Sequence, residues 1–470
     1  MIPERLEWLS AGAPAELAER FAGADHELYL VGGSVRDALM GRGDGETPDL
    51  DFTTDARPDE IKRILAGWAD DLYTMGEAYG TIGAVKDGHR HEITTFRAEV
   101  YTEDSRKPAV TFGDSIELDL SRRDFTVNAM ALRLGSSQPT LIDPHGGAAD
   151  VATETLRTPM GPEISFSDDP LRMLRLFRFM AQLGFYPNAV ELEAVSTMKE
   201  RLEIVSAERI RDELAKLVVG EWVAPALALL VDSGLADLFL PEIPALAMEQ
   251  DPMHHHKDVL AHSIAVMAKT TPDLELRLAG LLHDIGKPET RRFEGRRVSF
   301  HHHEVVGARM ARARLSALRF PKETVKNVSE LVFLHMRPHT FKMGWTDSAV
   351  RRYVRDAGEL LPKLNELVRC DVTTANEKRA NQIQRRIDEL EVRIGELRAQ
   401  EELDALRPPI DGNDVMTYLG LAPGPQVGTI MAMLLEKRIE DGPYERSEAF
   451  GAVREWALAE GMTDPGSAPE

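Results

Sequence analysis

LYLVGGSVRDALMG (residues 28–41) runs four apolar residues into two adjacent glycines, and DLDFTT (49–54) follows after a short polar linker. LYLV has the composition of a strand, Gly32 and Gly33 mark a loop, and the residues from about Val35 read as a helix. A glycine loop between a strand and a helix lets a phosphate approach backbone amides. The stretch fits neither G-x-G-x-x-G nor G-x-x-x-x-G-K-[ST], so neither common nucleotide fingerprint applies. It carries Arg36 and Asp37 instead, and the next strand-like run holds the D-x-D pair Asp49 and Asp51. Residues i and i+2 of a strand face one side, so both carboxylates converge, and Mg²⁺ is the hard ion that suits them. Taken alone, the two acids are equally what a solvated strand edge carries.

At 470 residues the chain is long enough for two to four domains of about 150 residues. Its 43% hydrophobic content supplies several cores, and the single cysteine, Cys370, excludes a disulfide framework or a cysteine-based zinc site. No basic segment leads into an apolar one at the N-terminus, and no run approaches the roughly 18 apolar residues of a span. A cytoplasmic chain with no membrane partner is expected. The formal net charge of −22 argues against a protein that simply coats nucleic acid, which needs cations. It leaves room for an enzyme with one locally basic face.

The texture divides the chain into an N-terminal helix (1–24), a strand-and-turn head (25–150), a helical neck (151–250), a histidine-rich helical block (251–375), a helical arm and C-terminal body (376–460), and a disordered tail (461–470). In the arm, Ile383, Ile387, Leu390, Ile394 and Leu397 recur at steps of four and three. That heptad seam is too short for a coiled coil and suits a helical hairpin.

Three further motifs carry chemistry. RRDFTVNAMAL (122–132) sets Arg122, Arg123, Asp124 and Asn128 at the opening of a helix-like run, where arginines can grip phosphates. In SDDPLRMLRLFRF (167–179), Arg172 lies one helical turn beyond Asp169, so both can enter one pocket. A carboxylate acceptor beside a guanidinium donor matches the pairing edge of cytosine or adenine, and neither uracil nor guanine places an amine there. The same letters also fit a helix-capping aspartate with a surface arginine. In SAERIRDELAKLV (206–218), Ser206 reads as an N-cap and Arg209 as sharing an exposed face with Glu213.

LYLVGGSVRDALMG…DLDFTT, RRDFTVNAMAL and DDPLRMLRLFRF, in that order over about residues 25–220, resemble the class II tRNA nucleotidyltransferases and bacterial poly(A) polymerases of the polymerase-beta superfamily. The resemblance implies an α+β fold class: a small polymerase-beta-type nucleotidyltransferase head, then mostly α-helical neck, HD and tail domains. It implies template-independent addition or repair of the 3′-terminal CCA of tRNA from CTP and ATP, releasing pyrophosphate, with the base chosen by protein side chains. Asp49 and Asp51 become magnesium ligands, and Glu92 in HEITTFR is the candidate third carboxylate. Gly32, Gly33 and Arg36 become triphosphate contacts, and Arg123, Asp124 and Asn128 ribose and phosphate contacts. Asp169 and Arg172 become the base-selecting pair, with Asp168 standing where the family carries glutamate. Arg175 and Arg178 extend the stripe toward RNA or nucleotide phosphate, and Glu208 and Arg209 fall near the base pocket.

The family's switch from cytidine to adenosine uses a flexible loop, here AEVYTEDSRKPAVTFGDSIELDL (98–120) with Glu99, Asp104 and Arg106, intact in length. That favours full CCA addition over a CC-only enzyme, and the non-basic tail EGMTDPGSAPE argues against a poly(A) polymerase.

His262, His283, Asp284, His303, His335 and Asp371 form a second set, spaced over about residues 254–375. Mixed imidazole and carboxylate donors suit Mn²⁺, Fe²⁺, Ni²⁺ or Mg²⁺ rather than structural zinc. The H…HD…D order resembles the HD phosphohydrolase superfamily. It implies a second divalent metal (Mn, Ni or Mg) on His262, His283, Asp284 and Asp371, with His303 and His335 as further donors and Lys287 binding substrate phosphate. A 2′,3′-cyclic phosphate end or a phosphomonoester is the expected substrate. An alternative reading follows, a phosphohydrolase whose N-terminal half only presents RNA. His254–His256 read as a loop, and no signal bears on oligomeric state.

Overall fold

The computed structural model describes residues 4–42, 50–100, 109–113, 115–135, 139–248, 258–294, 297–338, 345–372, 377–401 and 407–466. Asp49, Asp104, Arg106 and the 254–256 histidines lie outside these residues. The chain divides into two compact units: Met1–Pro244 with Ala317–Phe320, and Ala245–Ser316 with Pro321–Glu470.

The first unit opens with helix α1 (Ala13–Gly23) and builds a seven-stranded sheet. Its strands are β1 (Leu28–Val31), β2 (Leu50–Thr54), β3 (Asp71–Tyr73), β4 (Thr81–Lys86), β5 (His89–Thr95), β8 (Ala131–Arg133) and β9 (Thr140–Ile142). The order is β3-β4-β5-β2-β1-β8-β9. β2 and β5 run parallel, and every other neighbouring pair is antiparallel. A separate antiparallel pair, β6 (Arg97–Val100) and β7 (Ala109–Phe112), lies within the segment expected to be a flexible loop, whose C-terminal end is helical from Ile116. Side-chain alternation fixes which face of the sheet is wet. Leu50 and Phe52 are buried on either side of exposed Asp51, and His91 and Ile93 on either side of exposed Glu92.

Helix α2 (Gly33–Leu39) starts directly after the glycine turn, two residues earlier than Val35. Helices α3 (Pro58–Leu65), α4 (Ile116–Ser121) and α5 (Gly147–Ala152) complete the strand-bearing region. It continues into α6 (Pro162–Asp168), α7 (Leu171–Leu183), α8 (Ala189–Met198), α9 (Ala207–Val218) and α10 (Val223–Asp232). Helix α7, whose Leu174, Phe177 and Met180 are fully buried, packs against α9 and α10.

Among its described residues, the regular structure of the second unit is helical apart from one short hairpin. Helix α12 (Leu274–Leu282) packs against α11 (Val259–Lys269), α15 (Lys322–Leu334) and α17 (Leu361–Cys370), with α13 (Lys287–Thr290), α14 (His303–Ala317) and α16 (Asp347–Ala357) between them in sequence. The heptad seam lies on α18 (Glu377–Glu401), where Ile387, Leu390, Ile394 and Leu397 are buried. This helix packs on α16 and α17 of its own unit, and Arg369 bridges to Asp388 and Glu391 at 2.7 Å each. Helices α19 (Gly412–Leu419), α20 (Pro425–Asp441) and α21 (Arg446–Ala459) share a small core around Phe450 and Leu434. Of the tail expected to be disordered, residues 461–466 are described and two of them are anchored: Asp464 accepts from Arg454 Nε at 2.7 Å, and Tyr418 Oη donates to the Gly466 carbonyl at 2.8 Å. An ion pair and a tyrosine anchor hold polar residues that composition alone reads as free. No described helix is long and apolar enough to cross a membrane.

Candidate functional site

Asp51 and Glu92 stand opposite each other in the β2–β5 register, with their side chains on the same wet face. Both line a cleft of about 430 Å³ that also takes in Asp124, Asp169 and six arginines: Arg97, Arg122, Arg123, Arg172, Arg175 and Arg209. Gly32 has φ 77°, a left-handed conformation that glycine adopts without penalty. A β-carbon there would stand 3.4 Å from Arg123 Nη1 and 3.9 Å from Asp51 Oδ2. The glycine therefore brings bare backbone beside the carboxylate and the guanidinium.

Asp119 is fully buried within α4 and holds two of the arginines, Arg122 at 3.0 Å and Arg123 at 3.2 Å. Burial alone would raise its carboxyl, but Arg123 and Arg122 hold it below the usual carboxylate range. Asp124 follows the same logic more strongly: burial is overcome by Arg175, and the carboxyl is held far below its ordinary value. It accepts from Phe125 N at 2.8 Å, from Asn128 Nδ2 at 3.0 Å and from Arg175 Nε at 3.1 Å.

Several residues expected at the nucleotide form a layer behind the cleft. Arg36 is buried, donating from Nε and Nη2 to the Asp37 carboxylate at 2.9 and 3.1 Å and from Nη1 to Asn128 Oδ1. Neither Arg36 nor Asn128 is among the cleft-lining residues, because a carboxylate one residue away and a neighbouring amide already satisfy that guanidinium. Arg178 is buried as well, its guanidinium 3.9 Å from the Phe179 ring centre and its Nε 3.0 Å from Glu213 Oε2. That last contact is ionic rather than an aligned hydrogen bond. Burial, reinforced by Arg175, lowers Arg178 to about 10. Glu213 is buried between Arg175 (3.2 Å) and Arg178, so it does not share an exposed face with Arg209. Ser206 accepts from Arg209 N as the N-cap expected of α9.

Asp169 and Arg172 meet in the cleft. Asp169 Oδ1 accepts from Leu171 N at 3.1 Å, and Oδ2 accepts from Arg209 Nη2 at 2.7 Å. Arg172 donates from Nη1 to Ser165 Oγ at 3.0 Å and from Nη2 to the Arg122 carbonyl. The capping bond and the exposure to the cleft thus belong to the same aspartate. Arg97, which donates to Thr81 Oγ1 at 2.8 Å, was not singled out from the sequence. The Asp119 pairing was legible in DLSRR, since acid and arginines three and four apart share a helix face.

The second unit carries its own cluster. His262 lies on α11, His303 opens α14, and His283, His335 and Asp371 each follow the last turn of a helix, α12, α15 and α17. His262 Nε2 is 3.2 Å from His283 Nε2, 2.9 Å from Asp371 Oδ1 and 3.5 Å from Asp284 Oδ2. His303 Nε2 is 3.3 Å from His335 Nε2 and 3.4 Å from Asp284 Oδ1. Lys287 Nζ reaches Asp284 Oδ2 at 2.6 Å. Burial lowers His303 and takes His335 down to about 3, which keeps both rings neutral. Burial would also lower His283, but Asp284 and Asp371 push it up to about 10.

Three families match the chain: the Poly A polymerase head domain over residues 28–157, the probable RNA- and SrmB-binding site of polymerase A over 187–246, and the HD domain over 259–376. The A-adding tRNA nucleotidyltransferase of Deinococcus radiodurans is 35% identical over 447 residues, covering 91% of this chain and 95% of that one. The CCA-adding enzyme of Geobacillus sp. is 42% identical over 217 residues, 46% of this chain and 51% of that one. Among solved structures, the Bacillus stearothermophilus CCA-adding enzyme in complex with CTP matches with a TM-score of 0.65 at 22% identity, over 98% of this chain and 100% of that one, a likeness of fold. Both polymerase and HD families depend on divalent metals. A head, a neck and an HD domain in one order, and a relative aligned over nearly its whole length, make this chain a member of the class II tRNA nucleotidyltransferase family, that of the CCA-adding enzymes.

Proposed function

We propose that this chain completes or repairs the 3′-terminal CCA of tRNA, drawing on CTP and ATP and releasing pyrophosphate, with no nucleic-acid template. The observation that carries the reading is the single cleft in which the Asp51–Glu92 carboxylates and the Asp169–Arg172 pair stand among arginines. Asp51 and Glu92, with Asp49 two residues upstream, are hard oxygen donors and fit Mg²⁺. When bound, the metal lowers the barrier to attack on the α-phosphate and neutralises the departing pyrophosphate.

The protein's own part is positioning. Gly32 admits the triphosphate close to the backbone, and Arg123, held by Asp119, supplies a fixed guanidinium beside it. Asp124 keeps its charge and fixes Arg175 in the cleft. Asp169 accepts from the exocyclic amine of cytosine or adenine, and Arg172 donates to the adjoining ring nitrogen. Ser165 and the Arg122 carbonyl hold Arg172 in place before the base arrives, so its ordering costs little at binding. Arg36, Asn128 and Arg178 support this layer from behind rather than touching nucleotide. With tRNA, CTP and ATP as substrates, the cytoplasm is the proposed place of work.

A second reading, addition of the terminal adenosine alone, is favoured by the alignment over 95% of the Deinococcus radiodurans A-adding enzyme. Incubation of the chain with labelled tRNA ending before CCA, or after CC, with CTP, ATP and Mg²⁺, separates the readings when the products are sequenced. Three added nucleotides that stop at CCA support the proposal. Extension only of the CC-ended substrate supports A-addition, two cytidines a CC enzyme, and a long adenosine tract a poly(A) polymerase.

A further inference from the structure

The short hairpin of the second unit pairs Arg292–Glu294 with Arg297–Ser299 and opens a basic stretch in an acidic chain. Between Arg291 and Arg314 there are seven arginines and two glutamates, against a formal net charge of −22 for the whole. Phe293 stands opposite Val298 in the hairpin register, so strand parity sets both on one face of the ribbon, with Arg291 two residues before. The phenylalanine is 65% exposed, and the Arg291 guanidinium lies over its ring, 4.8 Å from the centre. A single exposed ring is ordinary on a protein surface. This one has a cation stacked on one side and looks onto solvent from the other, a stack that a flat base can continue.

Helix α14 brings further cations to the same place. Val305, Arg309, Arg312 and Ser316 recur at steps of four, three and four and are all exposed, which makes them one stripe of the helix. The single acid of α14, Glu304, falls outside that spacing. The first turns of α14 are pressed against the segment that leads into the hairpin. A β-carbon on Gly286 would stand 2.2 Å from the His303 carbonyl oxygen and 2.7 Å from Gly307 N, so only glycine allows the approach. Two residues beyond Gly307, Arg309 reaches Glu289 Oε2 at 3.7 Å, and Glu289 precedes Arg291 by two residues. The Arg309 side chain is 76% exposed, and an ion pair so long and so wet holds it weakly. A phosphate can therefore compete for that guanidinium.

We propose that this face of the second unit binds single-stranded RNA: an unpaired base stacks on the open side of Phe293, and Arg309 and Arg312 take phosphates of the same strand. Every cation of the face is an arginine, whose planar fork donates to phosphate in pairs and stacks on flat rings. An acidic peptide would use the guanidinium groups and leave the ring face idle. An anionic membrane would call for more inserted apolar surface than one phenylalanine and one valine supply. The choice of RNA as the strand rests on the tRNA reading above; the stacking and the phosphate contacts rest on the hairpin and α14 alone.

The test titrates the full chain, in chelator and without CTP or ATP, into a short fluorescein-labelled oligouridylate and follows fluorescence anisotropy at several salt concentrations. Binding is expected at roughly 10⁻⁶–10⁻⁴ M, the range of non-specific contacts. Phe293→Ala is expected to weaken it by about 5- to 150-fold, the loss of one stacked base, without changing the salt slope. Phe293→Tyr keeps the ring and is expected to keep the affinity. Arg309→Gln and Arg312→Gln are each expected to flatten the slope of log affinity against log salt by about 0.7, one phosphate apiece. An RNA duplex of the same length, its bases already stacked on one another, is expected to bind without regard to Phe293. No binding of oligouridylate, an affinity unmoved by Phe293→Ala, or duplex binding that falls with it overturns the stacking role. Slopes unmoved by both arginine variants overturn the phosphate contacts. Binding of polyglutamate or of phosphatidylserine–phosphatidylcholine vesicles that depends on Phe293, where oligouridylate binding does not, assigns the face to another partner and overturns the proposal. The readout is binding rather than extension, so failure of the CCA reading leaves these outcomes standing, and loss of the Phe293 effect leaves CCA addition standing.

Discussion

Asp169→Asn separates base selection from folding. Asparagine caps a helix as well as aspartate does, so the bond from Leu171 N to Oδ1 (3.1 Å) survives the change. The other oxygen faces Arg209, whose side chain is 53% exposed, and an ion pair so wet contributes about 0–1 kcal/mol. Urea unfolding should therefore move by no more than about 1 kcal/mol. Catalysis should move much further. The carboxylate can only accept, and a charge-assisted hydrogen bond from the exocyclic amine of cytosine or adenine amounts to about 1.5–3 kcal/mol, or about 10- to 150-fold in kcat/KM. The asparagine amide can rotate to donate to the carbonyl of uracil, so UTP use should rise relative to CTP. The assay is single-nucleotide extension of labelled tRNA lacking CCA, with each of the four triphosphates in turn. Unchanged efficiencies for CTP and ATP, or an equal drop for all four nucleotides, would refute the pairing role and leave Asp169 a capping residue.

Asp51→Ala should abolish incorporation of both CTP and ATP. Glu92→Gln, which keeps the shape and removes the charge, should lower kcat by about 10²–10³, with nucleotide affinity followed separately by equilibrium binding. Glu213→Gln leaves Arg175 and Arg178 without the carboxylate that lies between them. Breaking a buried pair costs about 3–5 kcal/mol, which urea unfolding will read; a loss below 1 kcal/mol contradicts the buried pairing. The Asp124 carboxyl is depressed in the fold, so its stabilisation is present above the ordinary aspartate pKa of about 3.9 and fades as pH falls below it. The stability gap between the parent chain and Asp124→Asn should be full at pH 7 and narrow steadily below about pH 4, and a gap independent of pH would count against the Arg175 pairing.

Much of the cleft could be read from local spacing. The strand–glycine–helix turn and the outward parity of Asp51 are short-range patterns, and Asp169 and Arg172 lie three residues apart, although Asp169 is extended just before α7 rather than inside it. Glu92 is different: nothing within HEITTFR says which strand lies beside it. Only the parallel pairing of β2 with β5, made across an intervening hairpin, sets it opposite Asp51. Arg36 and Glu213 turn on a related point. Each is a charged residue in a motif, and sequence alone cannot tell a charge aimed at a ligand from one satisfied inside the protein. Arg36 has Asp37 and Asn128, and Glu213 has two arginines from α7. The histidine cluster was legible as a set of ligand types, but its division into two triads sharing Asp284 depends on which carboxylate oxygen faces which ring.

The overall charge of −22 poses a puzzle for a reading that needs a nucleoside triphosphate and RNA in one place. The cleft resolves it by local arrangement. Six arginines and four acids line it, and some of those acids position arginines: Asp124 holds Arg175 and Asp169 holds Arg209, while buried Asp119 holds Arg122 and Arg123 from below. Anions that orient cations, with the cations facing open space, focus positive potential in a concave site even when the whole surface is negative. Such a field acts within about a Debye length, roughly 8 Å at physiological ionic strength. It therefore favours a phosphate chain already inside the cleft and does little for RNA elsewhere on the surface. The expected signature is a triphosphate affinity that falls with salt alongside weak salt-sensitive binding of random RNA. Strong non-specific RNA binding would mean that cations outside this cleft dominate.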